Sequence, residues 1–275
     1  MARSDLGHEL DVALRLAHQA GAAITDLYQT SLTVHRKAGN EPVTEADRAA
    51  DAIVLAGLHA AFPEDGLLTE ESDDDLSRLS KERVWIVDPL DGTSEFLNRT
   101  GEFSVQIALA VRGAPVLGVV FQPARDRLFY AVQGQGAYQV RAQKTTRLQV
   151  SPESLPAQMR LVASRSHFSP FIEAAREALG IATIHRAGSV GIKVSLVACG
   201  EYDLYLATTV SKEWDFCAPH VLLSEAGGLL TDLCGMPLTY NKADVSLCTG
   251  LIASNGLVHE QIVETLLPLH HQAQG

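Results

Sequence analysis

The spacing of apolar residues predicts the first elements of the chain. From residue 10 to residue 27 they recur at three- and four-residue steps, which is typical of an amphipathic helix that packs against a sheet. Thr44 is a good N-cap for a second helix, and Pro63 is expected to end it. Strand composition at 84–87 and a hairpin pattern over 103–121 then predict a largely antiparallel sheet under both helices.

The second half of the chain alternates between strand and helix patterns. One or two further strands are predicted at 128–140, and 151–156 is the most linker-like segment. Beyond it, strands are predicted at 161–163, 202–207, 228–233 and 251–253, and helices at 171–179, 218–225 and 258–269. This alternation indicates an α/β fold with an α+β N-terminal half. We predict two units: 1–150, with helices on an antiparallel sheet, and 151–275, an α/β subdomain.

The charge balance narrows the class of partner. The 275 residues include 22 Lys and Arg and 33 Asp and Glu, which gives a formal net charge of -11. Nucleic-acid polymers and anionic membranes need clustered positive charge, so the sequence favours a small ligand or a cation. The sequence also has no apolar stretch of about 18 residues, so no membrane span is expected.

The four cysteines give no metal spacing. Cys199, Cys217, Cys234 and Cys248 form neither a CxxC pair nor a Cys/His zinc pattern, so we interpret them as buried, reduced thiols. The first ten residues carry charges where a signal peptide needs an apolar core. The predicted location is therefore cytoplasmic.

The segment 85–96 carries the clearest chemistry. An apolar strand is expected to deliver Asp88 at its C-terminal end, where Pro89 and Gly92 force a tight turn and Asp91 follows three residues on. Both carboxylates can then converge on one point, which is the arrangement that hard divalent cations require. The same composition also fits an ordinary Asx turn, so the segment alone leaves both interpretations open.

Further polar positions extend this cluster. Thr93 and Ser94 are predicted to open a helical turn whose free amides suit a phosphate group. Glu70 and Glu71 end a short apolar run, and Asp215 starts a helix. Each of these acids alone fits a solvated loop or a helix cap. Taken with the two aspartates, they form a candidate cation site.

Four blocks of sequence resemble the inositol monophosphatase superfamily of magnesium-dependent, lithium-sensitive phosphatases. They are residues 42–47, 70–72, 88–93, and 214–215 followed by 225–228. The resemblance implies a layered αβαβα sandwich of the inositol monophosphatase and fructose-1,6-bisphosphatase type. Within the superfamily, the chain looks most like the 3'(2'),5'-bisphosphate nucleotidases, on residues 37–44, 94–96, 101–103, 164–167 and 188–193. Those enzymes hydrolyse adenosine 3',5'-bisphosphate, a by-product of sulfur metabolism, to AMP and phosphate.

The resemblance also implies roles for individual residues. The implied ligands of two or three Mg²⁺ ions are Glu70, Asp88, Asp91, Asp215 and the backbone carbonyl of Leu90. The implied catalytic residues are Asp47, Thr93 and Glu70, of which Asp47 and Thr93 orient an attacking water. The implied substrate-binding residues are Asp91, Gly92, Thr93, Ser94, Ser189, Lys193 and Asp215. The implied mechanism is in-line attack by water, without a phosphoenzyme. Because four carboxylates repel one another, we expect the site to be loose without cations.

Specificity depends on residues beyond these. Lys193 is the candidate contact to a second phosphate, with Arg165 and His167 as weaker candidates. Inositol monophosphatases place a glutamate seven residues before the Trp-Asp aspartate, and this chain has Thr208 there. The alternatives left open are an inositol monophosphatase, a sugar bisphosphatase, and a non-catalytic homologue that binds a nucleotide or calcium. The predicted partner is a small phosphorylated substrate, and the chain is expected to be a monomer or a homodimer.

Overall fold

Five layers of secondary structure stack on one another in the computed structural model, which describes residues 6–29, 34–36 and 42–274. A helical layer covers one face of a seven-stranded sheet, a second helical layer separates that sheet from a five-stranded one, and a third covers the far side. The predicted αβαβα sandwich is confirmed. Residues 37–41, which belong to a block that resembles the bisphosphate nucleotidases, lie outside the described residues.

The two helices predicted for the N-terminal half form the first helical layer, and the first of them begins three residues before the predicted position 10. The layer consists of α1 (Gly7–Tyr28) and α2 (Glu45–Ala61), and a short hairpin of β1 (Val34–Arg36) and β2 (Pro42–Thr44) lies between them. The Thr44 hydroxyl accepts from the Ala46 amide at 3.1 Å and caps α2. The helix ends two residues before Pro63, because a proline lacks the N–H that would continue it.

The larger sheet has the strand order β3-β4-β5-β6-β7-β8-β9, in which only β3 and β4 run parallel. Its strands are β3 (Gly66–Thr69), β4 (Arg83–Asp91), β5 (Ser104–Val111), β6 (Ala114–Gln122), β7 (Arg127–Val132), β8 (Gly136–Arg141) and β9 (Lys144–Arg147). A short helix, α3 (Thr93–Leu97), follows β4. The predicted hairpin is confirmed as β5 and β6. The sequence did not predict β9, because all four of its side chains are exposed and give no apolar alternation.

The smaller sheet has the order β11-β10-β12-β16-β14 and mixes parallel with antiparallel pairs. Its strands are β10 (Leu161–Ser164), β11 (Ile184–Ala187), β12 (Leu204–Ala207), β14 (Leu229–Asp232) and β16 (Leu251–Ser254). A separate pair is formed by β13 (Ser211–Lys212) and β15 (Ser246–Leu247). The sequence did not predict β11, because two of its four residues, His185 and Arg186, are polar and exposed at the edge of the sheet.

The remaining helices fill the middle and outer layers. They are α4 (Pro170–Ala178), α5 (Val190–Ala198), α6 (Glu213–Glu225) and α7 (His259–Gln274). Helix α6 begins two residues before the predicted start at Asp215, because the Asp215 side chain accepts from the Lys212 amide at 2.7 Å and stabilises an earlier first turn.

Successive side chains of a strand point to opposite faces of the sheet and therefore pack against different helical layers. On β5, Val105 and Ile107 pack towards α1 and α2, whereas Ala108 and Ala110 pack towards α5 and α6. The same central core also contains Val162 from the smaller sheet. Helices α5 and α6 are therefore shared by both sheets. The predicted division at residue 150 falls between β9 and β10, and it stays a prediction.

Two of the four cysteines do not fit the expectation of buried thiols. Cys217 is buried in α6 and Cys199 is half-buried, but Cys234 and Cys248 are exposed in turns. In the part of the chain that the structure describes, no helix is both long and apolar enough to span a membrane.

A buried carboxylate joins the linker-like segment 151–156 to the smaller sheet. Asp203 is fully buried and accepts from the Ser151 hydroxyl, from the Arg160 amide at 2.6 Å, and from the Arg160 guanidinium at 2.8 and 2.9 Å. Burial raises the pKa of Asp203, but the hydrogen bonds from Arg160 and Ser151 outweigh it and the net pKa is lowered. The ionised carboxylate therefore stabilises the folded state.

We expect Asp203→Asn to lower the free energy of unfolding by about 2–3 kcal/mol at pH 7, because charge-assisted hydrogen bonds are lost in a buried site. The pKa is lowered on folding, so this stabilisation is present above the ordinary Asp pKa of about 4 and is lost as the pH falls through the folded value. Urea unfolding of both proteins between pH 3 and pH 7 checks this. A difference that stays constant over that range would contradict the assignment.

Candidate active site

A single cavity of about 610 Å³ collects most of the predicted site. It lies where the ends of β3, β4 and β12 meet the N-terminal ends of α3, α5 and α6. Its lining includes ten of the eleven predicted residues: Glu70, Asp88, Leu90, Asp91, Gly92, Thr93, Ser94, Ser189, Lys193 and Asp215. The eleventh, Asp47, is buried behind the cavity wall and reaches it through Thr93.

A bulge in β4 brings Asp88 and Asp91 to the same side of the sheet. Asp88 pairs with Gln106 and Asp91 pairs with Ser104, so two residues of β4 oppose one residue of β5. Positions three apart in a regular strand face opposite sides, and the extra residue cancels that inversion. The expected strand end at Asp88 is therefore wrong: β4 continues to Asp91, and only Gly92, with φ of 96°, makes the turn.

Asp91 is held by three donors on one oxygen. Its Oδ2 accepts from the Ser189 hydroxyl, from the Gly191 amide at 2.8 Å and from Gln106 Nε2 at 2.8 Å. Ser189 and Gly191 lie at the start of α5 and Gln106 lies in β5, so both elements hold the Asp91 carboxylate in place. The arrangement leaves Oδ1 as the oxygen available to a ligand.

The Ser189 hydroxyl makes its hydrogen bonds to other groups of the protein. Besides its bond to Asp91, it lies 2.9 Å from the Ser104 hydroxyl and accepts from the Ile192 amide at 3.1 Å, which caps α5. The Ser189 backbone has φ of 56°, a conformation that L-residues rarely adopt. The implied contact between Ser189 and substrate stays a prediction.

Asp47 and Thr93 form a directed pair. Asp47 Oδ2 accepts from the Thr44 amide at 2.8 Å and from its hydroxyl at 2.7 Å, and Asp47 Oδ1 accepts from the Thr93 hydroxyl at 2.9 Å. Burial raises the pKa of Asp47, and the hydrogen bonds from Thr44 and Thr93 only partly oppose it. The Thr93 hydrogen is committed to Asp47, so its oxygen can accept a hydrogen bond from a water in the cavity.

The carboxylates around the cavity repel one another. Burial raises the pKa of Asp88 well above its usual range, and the negative charges of Glu70, Asp91, Asp215 and Asp47 add to it. Asp88 Oδ1 accepts from the Leu90 amide at 3.0 Å, which is too little to offset the loss of solvation. A cation in the cavity would relieve this excess of negative charge.

The donor set fits a hard divalent cation. The four carboxylates and the Leu90 carbonyl that line the cavity are all oxygen donors, which Mg²⁺ and Ca²⁺ prefer. Among the described residues, no three His, Cys, Asp or Glu side chains converge closely enough to hold a metal ion as they stand. The assignment of these residues as ligands therefore stays a prediction that rests on donor chemistry and charge.

Lys193 is a buried cation in the same cavity. The residue is 2% exposed, and its Nζ lies 5.2 Å from the centre of the Tyr205 ring. Burial lowers the pKa of the Lys193 ammonium, against the raising effect of Asp91 and three further carboxylates. Lys193 is therefore not a surface lysine. Its position favours an anion bound next to Nζ, because an anion would stabilise the charged form.

Of the other candidates for substrate specificity, two line the cavity and one does not. Thr208 and His167 line the cavity, and the Thr208 hydroxyl lies 2.8 Å from the Ser169 hydroxyl. Arg165 does not line the cavity; it pairs with Glu102 at 2.9 Å and donates to the Arg186 carbonyl. The Arg165 guanidinium thus binds protein groups outside the cavity.

Sequence reasoning missed Gln106, Glu95 and Tyr205. Gln106 is a buried polar residue in the otherwise apolar strand β5, and that exception is a usable signal. Glu95 lines the cavity and accepts from the Ser166 hydroxyl, which no local pattern reveals. In the sequence, Tyr205 is an ordinary aromatic residue of a strand; only the fold shows that it lies beside Lys193.

Comparison with known proteins relates nearly the whole chain to one family. Residues 5–271 match the model of the inositol monophosphatase family. The 3'(2'),5'-bisphosphate nucleotidase CysQ of Aggregatibacter actinomycetemcomitans is 36% identical over 86% of this chain and 89% of its own. Nus factor SuhB of Escherichia coli is 31% identical over 82% of this chain and 85% of its own. The crystal structure of CysQ from Bacteroides thetaiotaomicron superposes with a TM-score of 0.78 at 32% identity, over 90% of this chain and 97% of that one.

We expect Asp88→Asn to stabilise the protein when cations are removed by a chelator. The pKa of Asp88 is raised in the folded state, so the destabilisation is absent below the ordinary Asp pKa of about 4, grows as the pH rises, and is complete above the folded value. An asparagine can still accept from the Leu90 amide. At pH 8 the melting temperature should rise by about 2–4 °C, which corresponds to about 1 kcal/mol.

Addition of Mg²⁺ provides the control, because binding to the folded state alone should raise the melting temperature of the wild type more than that of the variant. A variant that melts below the wild type in chelator would show that the carboxylate of Asp88 supports the fold.

Proposed function

The chain belongs to the inositol monophosphatase family and is a phosphatase, and from this premise we propose that it hydrolyses the 3'-phosphate of adenosine 3',5'-bisphosphate. The products would be AMP and inorganic phosphate. We also propose that two or three Mg²⁺ ions serve the reaction, and that it takes place in the cytoplasm.

The observation that carries the substrate assignment is the buried cation of Lys193. The carboxylates of the cavity serve a scissile phosphate whatever molecule bears it, so they do not distinguish substrates. Lys193 lies in the same cavity with its Nζ over the Tyr205 ring and is almost completely buried. A substrate with a second phosphate places an anion where this cation can meet it. The similarity to CysQ nucleotidases supports the same assignment.

The chain's own residues supply the orientation of the attacking water. Thr93 donates its hydroxyl hydrogen to Asp47 and can therefore accept a hydrogen from a water in the cavity. Asp47 is in turn fixed by both donors of Thr44, at the first turn of α2. We propose that a water held by Thr93 attacks the phosphate in line; orientation of this kind accounts for a large part of phosphoryl-transfer catalysis.

The remaining groups of the cavity hold the cations and the phosphate. We propose Glu70, Asp88, Asp91, Asp215 and the carbonyl of Leu90 as cation ligands. Bound Mg²⁺ would neutralise the charge that develops on the entering and leaving oxygens. The amides that follow Gly92 lie at the first turn of α3, where they have no partner inside the helix, and we propose that they hold the scissile phosphate.

An inositol monophosphatase or a sugar bisphosphatase of the same fold is the second candidate. Thr208 lines the cavity at the position where an inositol-binding enzyme is expected to place a glutamate. A threonine there offers one hydroxyl, already paired with Ser169, in place of an anionic acceptor for ring hydroxyls. The residue therefore favours the nucleotide.

A substrate panel tests the proposal. Phosphate release is measured from adenosine 3',5'-bisphosphate, inositol 1-phosphate and fructose 1,6-bisphosphate, each with Mg²⁺ and with a chelator. We expect the highest kcat/KM with the nucleotide and no turnover in chelator. If inositol 1-phosphate is hydrolysed at least as efficiently as the nucleotide, the substrate assignment is wrong and the phosphatase assignment remains.

A matched pair of substrates tests Lys193. Adenosine 3'-monophosphate has the same nucleoside and scissile phosphate but no 5'-phosphate. Lys193→Met keeps the apolar stem and removes the charge, so it should lower kcat/KM for the bisphosphate by about ten- to a hundredfold, the value of a charge-assisted contact of about 1.5–3 kcal/mol. The loss with the monophosphate should stay within about threefold. Equal losses on both substrates would assign Lys193 to the scissile phosphate or the cation site.

A further inference from the structure

Helix α2 carries a second buried carboxylate, one turn after Asp47. Asp51 is 6% exposed and is not among the residues that line the cavity. It accepts from the hydroxyl of Thr69 and from that of Ser72, the latter at 2.8 Å. Both of its oxygens are therefore used, and both donors belong to the segment that leaves β3.

The two donors lie on either side of Glu70 and Glu71. Glu70 lines the cavity, and its amide donates to the Val87 carbonyl at 3.2 Å, directly before Asp88. The segment is thus attached to β4 through its backbone and to α2 through Thr69 and Ser72. These contacts fix where the Glu70 side chain leaves the main chain.

We propose that Asp51 is a positioning residue that holds Glu70 at the cation site. The inference rests on the proposed function, because it takes Glu70 as a cation ligand. The negative charge of Glu70 is one of those that raise the pKa of Asp88, so the two carboxylates repel each other across the cavity. Hydrogen bonds from Thr69 and Ser72 to Asp51 keep the Glu70 segment from moving away under that repulsion.

This role makes α2 a common support for two loops. Asp47 holds the loop after β4 through Thr93, and Asp51 holds the segment after β3 through Thr69 and Ser72. The two carboxylates stand four positions apart on one helix, so they share one face of it. The distance between the two loops is therefore set by a rigid element.

Calorimetric titration with Mg²⁺ alone, without substrate, tests the proposal. We expect Asp51→Ala to weaken Mg²⁺ binding on the order of tenfold, as is typical when an outer partner of a ligand is removed. The Mg²⁺ concentration for half-maximal activity should rise by the same factor, while kcat at saturating Mg²⁺ should stay within about threefold of the wild type. Asp51→Asn should restore part of the binding, because the amide oxygen still accepts from one hydroxyl.

Val54→Ala is the matched control. Val54 lies on the same helix, is fully buried in the core against the larger sheet, and is distant in sequence from both loops. The substitution should lower the melting temperature and leave Mg²⁺ binding unchanged. Mg²⁺ binding by Asp51→Ala within about twofold of the wild type, or an equal loss in Val54→Ala, would overturn the proposal.

Two further outcomes are decisive. If Asp51→Ala does not fold, Thr69→Val removes one of the two hydrogen bonds at constant shape, and unchanged Mg²⁺ binding by it would overturn the proposal. If the wild type binds Mg²⁺ but does not hydrolyse the bisphosphate, the proposed substrate fails, whereas weaker Mg²⁺ binding by the Asp51 variants still supports the positioning role.

Discussion

The cavity brings together the carboxylates of Glu70, Asp88, Asp91 and Asp215, which repel one another, and the surrounding structure must hold them there. The repulsion is visible in the pKa of Asp88, which burial and its neighbours raise well above the usual range. A backbone amide donates to three of these carboxylates, Asp88, Asp91 and Asp215, from Leu90, Gly191 and Lys212. Backbone donors do not move when a side chain rotates, so the fold itself sets the spacing of the charges.

Much of this arrangement could be predicted from the sequence, because its chemistry is concentrated at the ends of regular elements. Thr44 caps a helix whose apolar face is evident, and Asp47 lies in its first turn. Asp88 follows the apolar run 84–87, and Asp91 comes directly before Gly92, which makes the turn. Residues of this kind combine a local structural signal with a functional side chain, and all but one of the predicted site residues line the cavity.

The rest depends on contacts between distant parts of the chain. The bulge between Asp88 and Asp91 exists only in relation to its partner strand, so the sequence of β4 alone predicts a strand that ends too early. Gln106 belongs to the site only because it donates to Asp91, and Tyr205 only because its ring lies under the Lys193 ammonium. The edge strands β9 and β11 have polar, exposed residues and give no alternation, because the neighbouring strand defines them.

The central helices have a consequence for synthesis of the protein. Helices α5 and α6 cover one face of the larger sheet, but they follow it by some distance along the chain. As the chain leaves the ribosome, β3 to β9 can pair while the residues of α6 are still being added. The side chains of Ala108, Ala110 and Val120, which belong to the central core, are then exposed to water. An apolar face exposed in this way is prone to aggregate, and it is a surface that a chaperone can shield.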